Sequence, residues 1–184
     1  MRLLAGTALA LVCALSASPA TSAPLNGLFV EGDSLTIGSS NAIKANLASE
    51  FLSITVDAEV GRSTPTGISR LYAGQSANVW VVALGTNDAP DPVTMRRNVK
   101  SVLAQAGKRP VLWVSVWRSE SYLPVNRMLS RLDRKYSQLA VLRWDKVIAK
   151  NPTLLAADKI HLTPTGYEIR GQMIADAVRT LVRR

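Results

Sequence analysis

Val79-Trp80-Val81-Val82-Ala83-Leu84 runs without a polar interruption. A strand with one wet face alternates apolar and polar residues, so an unbroken, valine-rich run reads as a central parallel strand covered on both faces. Shorter apolar runs at 28–30, 111–116 and 140–144, and an alternating one at 54–60, supply four more strand candidates. Helical patterns fall between and after them, at about 37–50, 66–72, 92–106, 125–136 and 165–182. Gly107 makes a natural stop for the third helix and Pro164 a natural start for the last. This alternation predicts one α/β domain with a five-stranded parallel sheet sandwiched by helices. No repeats, linkers or low-complexity stretches divide it.

The N-terminal segment has a different character. Met1-Arg2 gives a positive start, 3–15 is apolar, and Ser18-Pro19-Ala20-Thr21-Ser22-Ala23 is small and polar. That is the pattern of a secretory signal, too short for a comfortable permanent anchor. Cleavage after Ala20 or Ala23 fits; Thr21-x-Ala23 favours the second, giving a signal over 1–23 and a domain over 24–184. The expected location is therefore secreted or periplasmic. The one cysteine, Cys13, lies inside this segment, behind a Val12 that suits no lipid-attachment site, so the exported domain relies on its core rather than on disulfides.

The chain carries 22 Lys and Arg against 13 Asp and Glu, a formal net charge of +9. A basic exported protein is drawn to anionic envelope polymers or lipid headgroups by long-range, salt-screened attraction. Nucleic acid is not expected as a partner, because the basic residues are scattered with no interleaved aromatic platform. A monomer is expected.

In open α/β sheets, ligands bind beyond the carboxyl ends of the strands. The polar groups of interest all follow strands: Ser34 after the first, Gly61 after the second, Gly85-Thr86-Asn87-Asp88 after the third, Trp117-Arg118 after the fourth, and Asp158 and His161 after the fifth. They share one rim. A serine hydroxyl attacks an ester at neutral pH only if a base takes its proton and a carboxylate orients that base. His161 is the only histidine, so a Ser/His enzyme must use it. Asp158, three residues earlier, can grip Nδ1 while Nε2 faces Ser34. Backbone N–H groups of Ser34 and Gly61 and the side-chain amide of Asn87 are candidate donors to the oxyanion formed on attack. The residues suggest no cofactor, and one histidine with no exported cysteine argues against zinc.

Gly32-Asp33-Ser34-Leu35, Gly61, Gly85-Thr86-Asn87-Asp88 and Asp158-x-x-His161 together resemble the four blocks of the SGNH (GDSL) hydrolase superfamily, over Val30 to the C terminus. The resemblance implies a flavodoxin-like three-layer α/β/α sandwich, a Ser34/His161/Asp158 triad, an oxyanion hole of Ser34, Gly61 and Asn87, and no metal. Val60-Gly61-Arg62, 83–87 and 158–166 are similar to the extracytoplasmic SGNH domains of bacterial peptidoglycan O-acetyltransferases. Asp88 departs from the glycine of that narrower group and matches the wider superfamily.

Simpler roles compete at several positions. Asp33 or Ser34 could cap the following helix, and Gly61 and Asn87 could serve only as turn residues. Arg62 and Arg118 are candidates for substrate contact, with solvation or local ion pairs as the alternative. Trp117 and Trp144 could stack on a sugar or acyl group, whereas Trp80 and Trp113 belong in the core. The reading as a whole is an exported serine esterase acting on short acyl, above all acetyl, esters of a small molecule or an envelope glycan. The alternatives are an O-acyltransferase to glycan hydroxyls and a non-catalytic basic envelope-binding protein on the same scaffold.

Overall fold

A computed structural model describes residues 23–184. The export segment proposed from sequence lies outside the described residues, apart from Ala23. Five parallel strands, β1 (Leu28–Gly32), β2 (Ile54–Ala58), β3 (Val79–Ala83), β4 (Val111–Val114) and β5 (Leu139–Leu142), form one sheet in the order β2-β1-β3-β4-β5. That is the flavodoxin-like order, in which the chain reverses direction across the sheet between β1 and β3. The helices are α1 (Ser34–Leu47), α2 (Thr64–Arg70), α3 (Pro92–Ala106), α4 (Leu123–Lys135), α5 (Trp144–Lys150) and α6 (Pro164–Val182). Among the described residues, none is long and apolar enough to cross a membrane.

The pleat sorts the central strands into two cores. Leu28, Val30, Val79, Val81, Leu112 and Val114 pack under α1 and α6, with Ile43, Leu47, Ile174 and Val178 above them. Phe29, Trp80, Val82, Val111 and Trp113 face the other layer, against Met95, Val99, Val125 and Leu129 of α3 and α4. Every residue of β1 and β3 is buried, as the unbroken apolar run required. On one side of the sheet, α1 and α6 approach closely because Gly171 stands where a Cβ would come within 2.4 Å of the Ala42 Cβ. This contact matters beyond packing, since α1 begins at Ser34 and α6 begins three residues after His161.

Most differences from the sequence-based expectation are local. The first helix starts at Ser34 rather than 37, because the Asp33 carboxylate accepts from Leu35 N–H at 3.0 Å and caps it. Strand four stops at Val114. Beyond it, the Asn126 amide takes over the pairing, accepting from Val116 N–H at 3.0 Å and donating to Val116 C=O at 2.7 Å. The expected fifth strand was to reach Trp144, but this residue opens α5 and is 1% exposed in the core. A stacking role for Trp144 is thereby corrected. Seven residues of helix are too few to show a period in the sequence.

Candidate active site

Ser34 occupies the first turn of α1, at the carboxyl end of β1 and beside the β1/β3 switch point. Its Oγ lies 3.0 Å from His161 Nε2. His161 Nδ1 lies 2.6 Å from Asp158 Oδ2. Serine, histidine and aspartate thus form one hydrogen-bonded chain across 127 residues of sequence.

The base side is made by a tight turn. Asp158 Oδ1 accepts from Ile160 N–H at 3.0 Å and His161 N–H at 2.9 Å, while Oδ2 holds the ring. Such a turn suits aspartate, whose short side chain reaches its own downstream backbone. Ala156 N–H donates to His161 C=O at 2.8 Å and Thr163 N–H to Leu154 C=O at 2.9 Å, closing the loop before Thr163 caps α6. Lys159 takes a φ of 62°, unusual for a residue with a Cβ. The His161 hydrogen bond, followed by the two backbone donors, lowers the Asp158 carboxyl to about 2. It therefore stays ionised wherever His161 needs an anionic partner. Both side chains are nearly half exposed, at 43% for His161 and 48% for Asp158.

The opposite side holds unpaired donors. Ser34 N–H sits at the helix start, where no intrahelical acceptor exists. Among the described residues, neither it nor Gly61 N–H finds a protein acceptor. Gly61 has a φ of 75° with nothing within 4 Å of where a Cβ would stand; glycine is needed there for its backbone conformation, not for space. Asn87 Nδ2 donates to Arg62 C=O at 3.1 Å, and its other contact, Asp33 Oδ2, is at 3.5 Å. That second distance exceeds ordinary hydrogen-bond length, so one amide hydrogen is left for another acceptor. Ser34 N–H, Gly61 N–H and one Asn87 amide hydrogen are thus left without a close protein acceptor on the segments that follow β1, β2 and β3, the kind of donors a developing oxyanion requires.

Arg62, a candidate for substrate contact, is 6% exposed and turned inward. Its Nη1 donates to Glu31 Oε1 at 2.5 Å and Asp57 C=O at 2.9 Å, and its Nη2 to Asp57 Oδ1 at 2.8 Å and Glu59 Oε2 at 3.3 Å. Both terminal nitrogens are engaged by the protein and only the buried Nε lacks a partner, so the substrate-contact reading is replaced by an anchoring one. Through its carbonyl, Arg62 orients Asn87; through its peptide bond, it fixes Gly61. Burial pushes the Glu31 carboxyl up to about 7, with Arg62 opposing the shift.

Arg118 is exposed but tethered, donating from Nη1 to Thr86 C=O at 2.7 Å. Trp117 is half-buried against the core beneath α1 and α6. Both stay on the rim next to Asn87. Asp88 clamps the same loop: its carboxylate accepts from Thr64 N–H and Thr64 Oγ1, and its carbonyl accepts from the Tyr122 hydroxyl at 2.5 Å.

Two further residues supporting the site were not expected from sequence. Glu31, within β1, is fully buried as the counterion of Arg62. Arg170 of α6, 2% exposed, donates from Nη1 to Leu35 C=O at 3.2 Å and Ser39 Oγ at 3.3 Å, pinning the first turns of α1. Burial raises the Asp33 carboxyl, and the nearby Arg170 charge pulls it back. Arg170 was discoverable: it sits one helical turn from both Gly166 and Ile174, on the buried stripe of α6. Among the described residues, no group of three or more His, Cys, Asp or Glu is placed to hold a metal ion.

Solved structures share this architecture. The C-terminal catalytic domain of Streptococcus pneumoniae peptidoglycan O-acetyltransferase A (OatA), solved with a methylsulfonyl adduct, aligns with a TM-score of 0.72 at 18% identity, over 88% of this chain and 97% of that one. The psychrotrophic esterase EstA from a Pseudoalteromonas species aligns at 0.70 and 12% identity, over 86% and 100%. A Clostridium thermocellum family 3 carbohydrate esterase gives 0.69 and 12%, over 86% and 97%. No family model and no curated protein matches the chain. The fold is the SGNH hydrolase fold implied by the sequence blocks.

Proposed function

We propose that the protein is an exported serine esterase that cleaves short acyl esters, acetyl above all, from a glycan or small alcohol. The observation that carries this reading is the Ser34–His161–Asp158 chain, at 3.0 and 2.6 Å. His161 Nε2 takes the Ser34 proton as Oγ attacks the ester carbonyl, and Asp158 holds the resulting imidazolium. Charge collects on the carbonyl oxygen, where Ser34 N–H, Gly61 N–H and Asn87 Nδ2 meet it. Collapse expels the alcohol, which receives the proton from His161 and leaves an acyl-Ser34. Water, activated by the same histidine, then releases the acid. The short rim connections favour small acyl groups, and fold-sharing neighbours include a carbohydrate esterase and an acetyl esterase.

The test combines labelling with turnover. A serine-reactive phosphonate is expected to modify wild-type protein once, at Ser34, and to leave Ser34→Ala unmodified. The same variant, still folded by circular dichroism, is expected to lose hydrolysis of 4-nitrophenyl acetate. Wild-type-like turnover by Ser34→Ala would remove the proposal. A second reading, transfer of the acyl group to a glycan hydroxyl, is favoured by the similarity to the O-acetyltransferase catalytic domain. Acylated glycan exceeding free acid when a chitooligosaccharide acceptor is added would select it.

A further inference from the structure

The two helical layers carry very different charge. On α3 and α4 lie Arg96, Arg97, Lys100, Arg127, Arg131, Arg134 and Lys135, with Asp133 the only acid. On α1 and α6, Lys44, Arg170 and Arg179 are set against Glu168 and Asp176. The excess positive charge is thus concentrated on one face.

That face has a shape. Between α3 and α4 runs a groove of about 230 Å³ whose walls are Arg96, Arg127 and Arg131, with Pro92 and Pro124 at one end and Met128 within it. All three arginines are exposed, and none has an ion-pair partner among the described residues. The nearest acids in sequence do not neutralise them. Asp91 is engaged by Val93 N–H and Thr94 N–H, Asp133 faces Arg184, and Glu120 is a single exposed carboxylate before α4. Three like charges gathered in a cleft repel one another unless an anion joins them.

The groove also has a direction. Pro92 follows the loop that carries Asn87, and Leu123–Pro124 follow the loop that carries Trp117 and Arg118. Tyr122 hydroxyl and Asp88 carbonyl tie these two loops together. The Pro92/Pro124 end therefore opens on the rim that holds Ser34, and the arginines lead away from it. Arg127 and Arg131, one turn apart at about 6 Å of helical rise, match the scale of a sugar residue in an extended chain.

We propose that this groove is a subsite for an anionic glycan, which the arginines hold by its carboxylates while an ester on the same chain reaches Ser34. The assignment builds on the esterase reading. Guanidinium groups bind carboxylates through two parallel hydrogen bonds, and the proline rings and the exposed Val93 offer aliphatic surface to sugar faces. Polynucleotide is disfavoured because no aromatic side chain lines the groove to stack a base. A bilayer is disfavoured because, of the large apolar side chains of α3 and α4, only Val93 and Leu123 are exposed, too few for an inserting face.

The test compares two variants of equal net charge: R96Q/R127Q/R131Q, and K44Q/K146Q/K150Q with its lost charges elsewhere. Binding to polygalacturonate is measured by titration at low and high salt, beside a single-stranded oligonucleotide and anionic vesicles. The arginine variant is expected to bind polygalacturonate about tenfold more weakly, with a flatter salt dependence, while the lysine variant matches wild type. On acetylated polygalacturonate, the arginine variant is expected to show a raised KM with unchanged kcat, and all three proteins to hydrolyse 4-nitrophenyl acetate equally. Equal losses in both variants would reduce the effect to net charge and overturn the subsite. So would tighter, arginine-dependent binding of the oligonucleotide or the vesicles. If no form hydrolyses any ester but glycan binding still depends on the three arginines, the subsite stands and the esterase reading falls.

Discussion

Asp158, Lys159, Ile160 and His161 make a turn complete within itself: one carboxylate accepts two backbone N–H groups and the imidazole, all from the next three residues. Across Ser34, Gly61 and Asn87 depend on contacts from four separate parts of the chain: Glu31 in β1, Asp57 in β2, Thr64 in α2 and Tyr122 before α4. The first side is half exposed and local; the second also presents Gly61 and Asn87 at the surface, but rests on buried supports, Glu31, Arg62 and Thr64, woven from distant segments. A base must accept and release protons and let product leave, so exposure is tolerable there. Oxyanion donors work by already pointing the right way, which only a rigid surround ensures. Substitutions on the two sides should therefore fail differently.

The largest effect is expected on the base side and should leave stability nearly untouched. On the proposed mechanism His161→Ala removes the base that deprotonates Ser34, and it is expected to lower kcat for an aryl acetate by at least about 10⁴-fold. Because the ring is nearly half exposed, the unfolding free energy from a urea titration should fall by about 1 kcal/mol or less. A large stability loss would show that the turn is not independent. Asp158, held down to about 2, is ionised at any pH where the protein is handled.

On the oxyanion side the order reverses. Arg62→Met leaves Glu31 without its counterion in the core, and breaking a buried pair typically costs about 3–5 kcal/mol. The sign of its pH dependence follows from Glu31. The folded-state value of about 7 lies above the ordinary 4.5, so the native protein holds a proton that the unfolded chain has released. Stability contributed by that proton is fully present below about 4.5 and lost as pH rises through about 7. Destabilisation by Arg62→Met should therefore deepen with rising pH, and Glu31→Gln should flatten the wild-type slope across that window. Denaturant melts from pH 5 to 8 read both. A pH-independent cost would mean that Glu31 does not titrate in this range.

Asn87→Ala lies between these extremes, since the side chain serves chemistry and structure together. Loss of one oxyanion donor is expected to reduce kcat by about 10²–10³-fold. The Arg62 carbonyl loses its partner, at about 1 kcal/mol of stability. Combined kinetics and melts on one variant would show whether the amide acts in the reaction or only anchors the loop.

The contrast also explains what could be read from sequence. The base side was legible because its parts are adjacent: an aspartate three residues before the sole histidine defines both partners and their geometry. The sheet was legible because burial on both faces forces unbroken apolar runs. Arg62 was not, because its partner Glu31 is 31 residues away and looks like an ordinary polar end to β1. Whether an arginine turns inward depends on a carboxylate supplied by another strand, which no local period records. Trp144 misled for a related reason, since a strand ending and a short buried helix beginning leave the same apolar trace.

The smallest effects test the comparison most finely, at a residue of positive φ on each side. Gly61 has a φ of 75° and Lys159 one of 62°. Gly61→Ala meets no atom within 4 Å, so its cost is backbone strain alone, about 1–2 kcal/mol. If the woven side is rigid, that strain cannot relax, and it should appear both in the melt and as a fall in kcat as the Gly61 N–H turns away. Lys159→Gly is the converse experiment. It removes the strain from a turn already fixed by two hydrogen bonds to Asp158 Oδ1, but it also loosens the unfolded chain. The two terms oppose, so stability should shift by less than about 1 kcal/mol and kcat should hold. A substantial fall in kcat for Lys159→Gly, with Asp158 and His161 intact, would show that the base turn needs its strained residue. The local side would then be no more self-sufficient than the woven one.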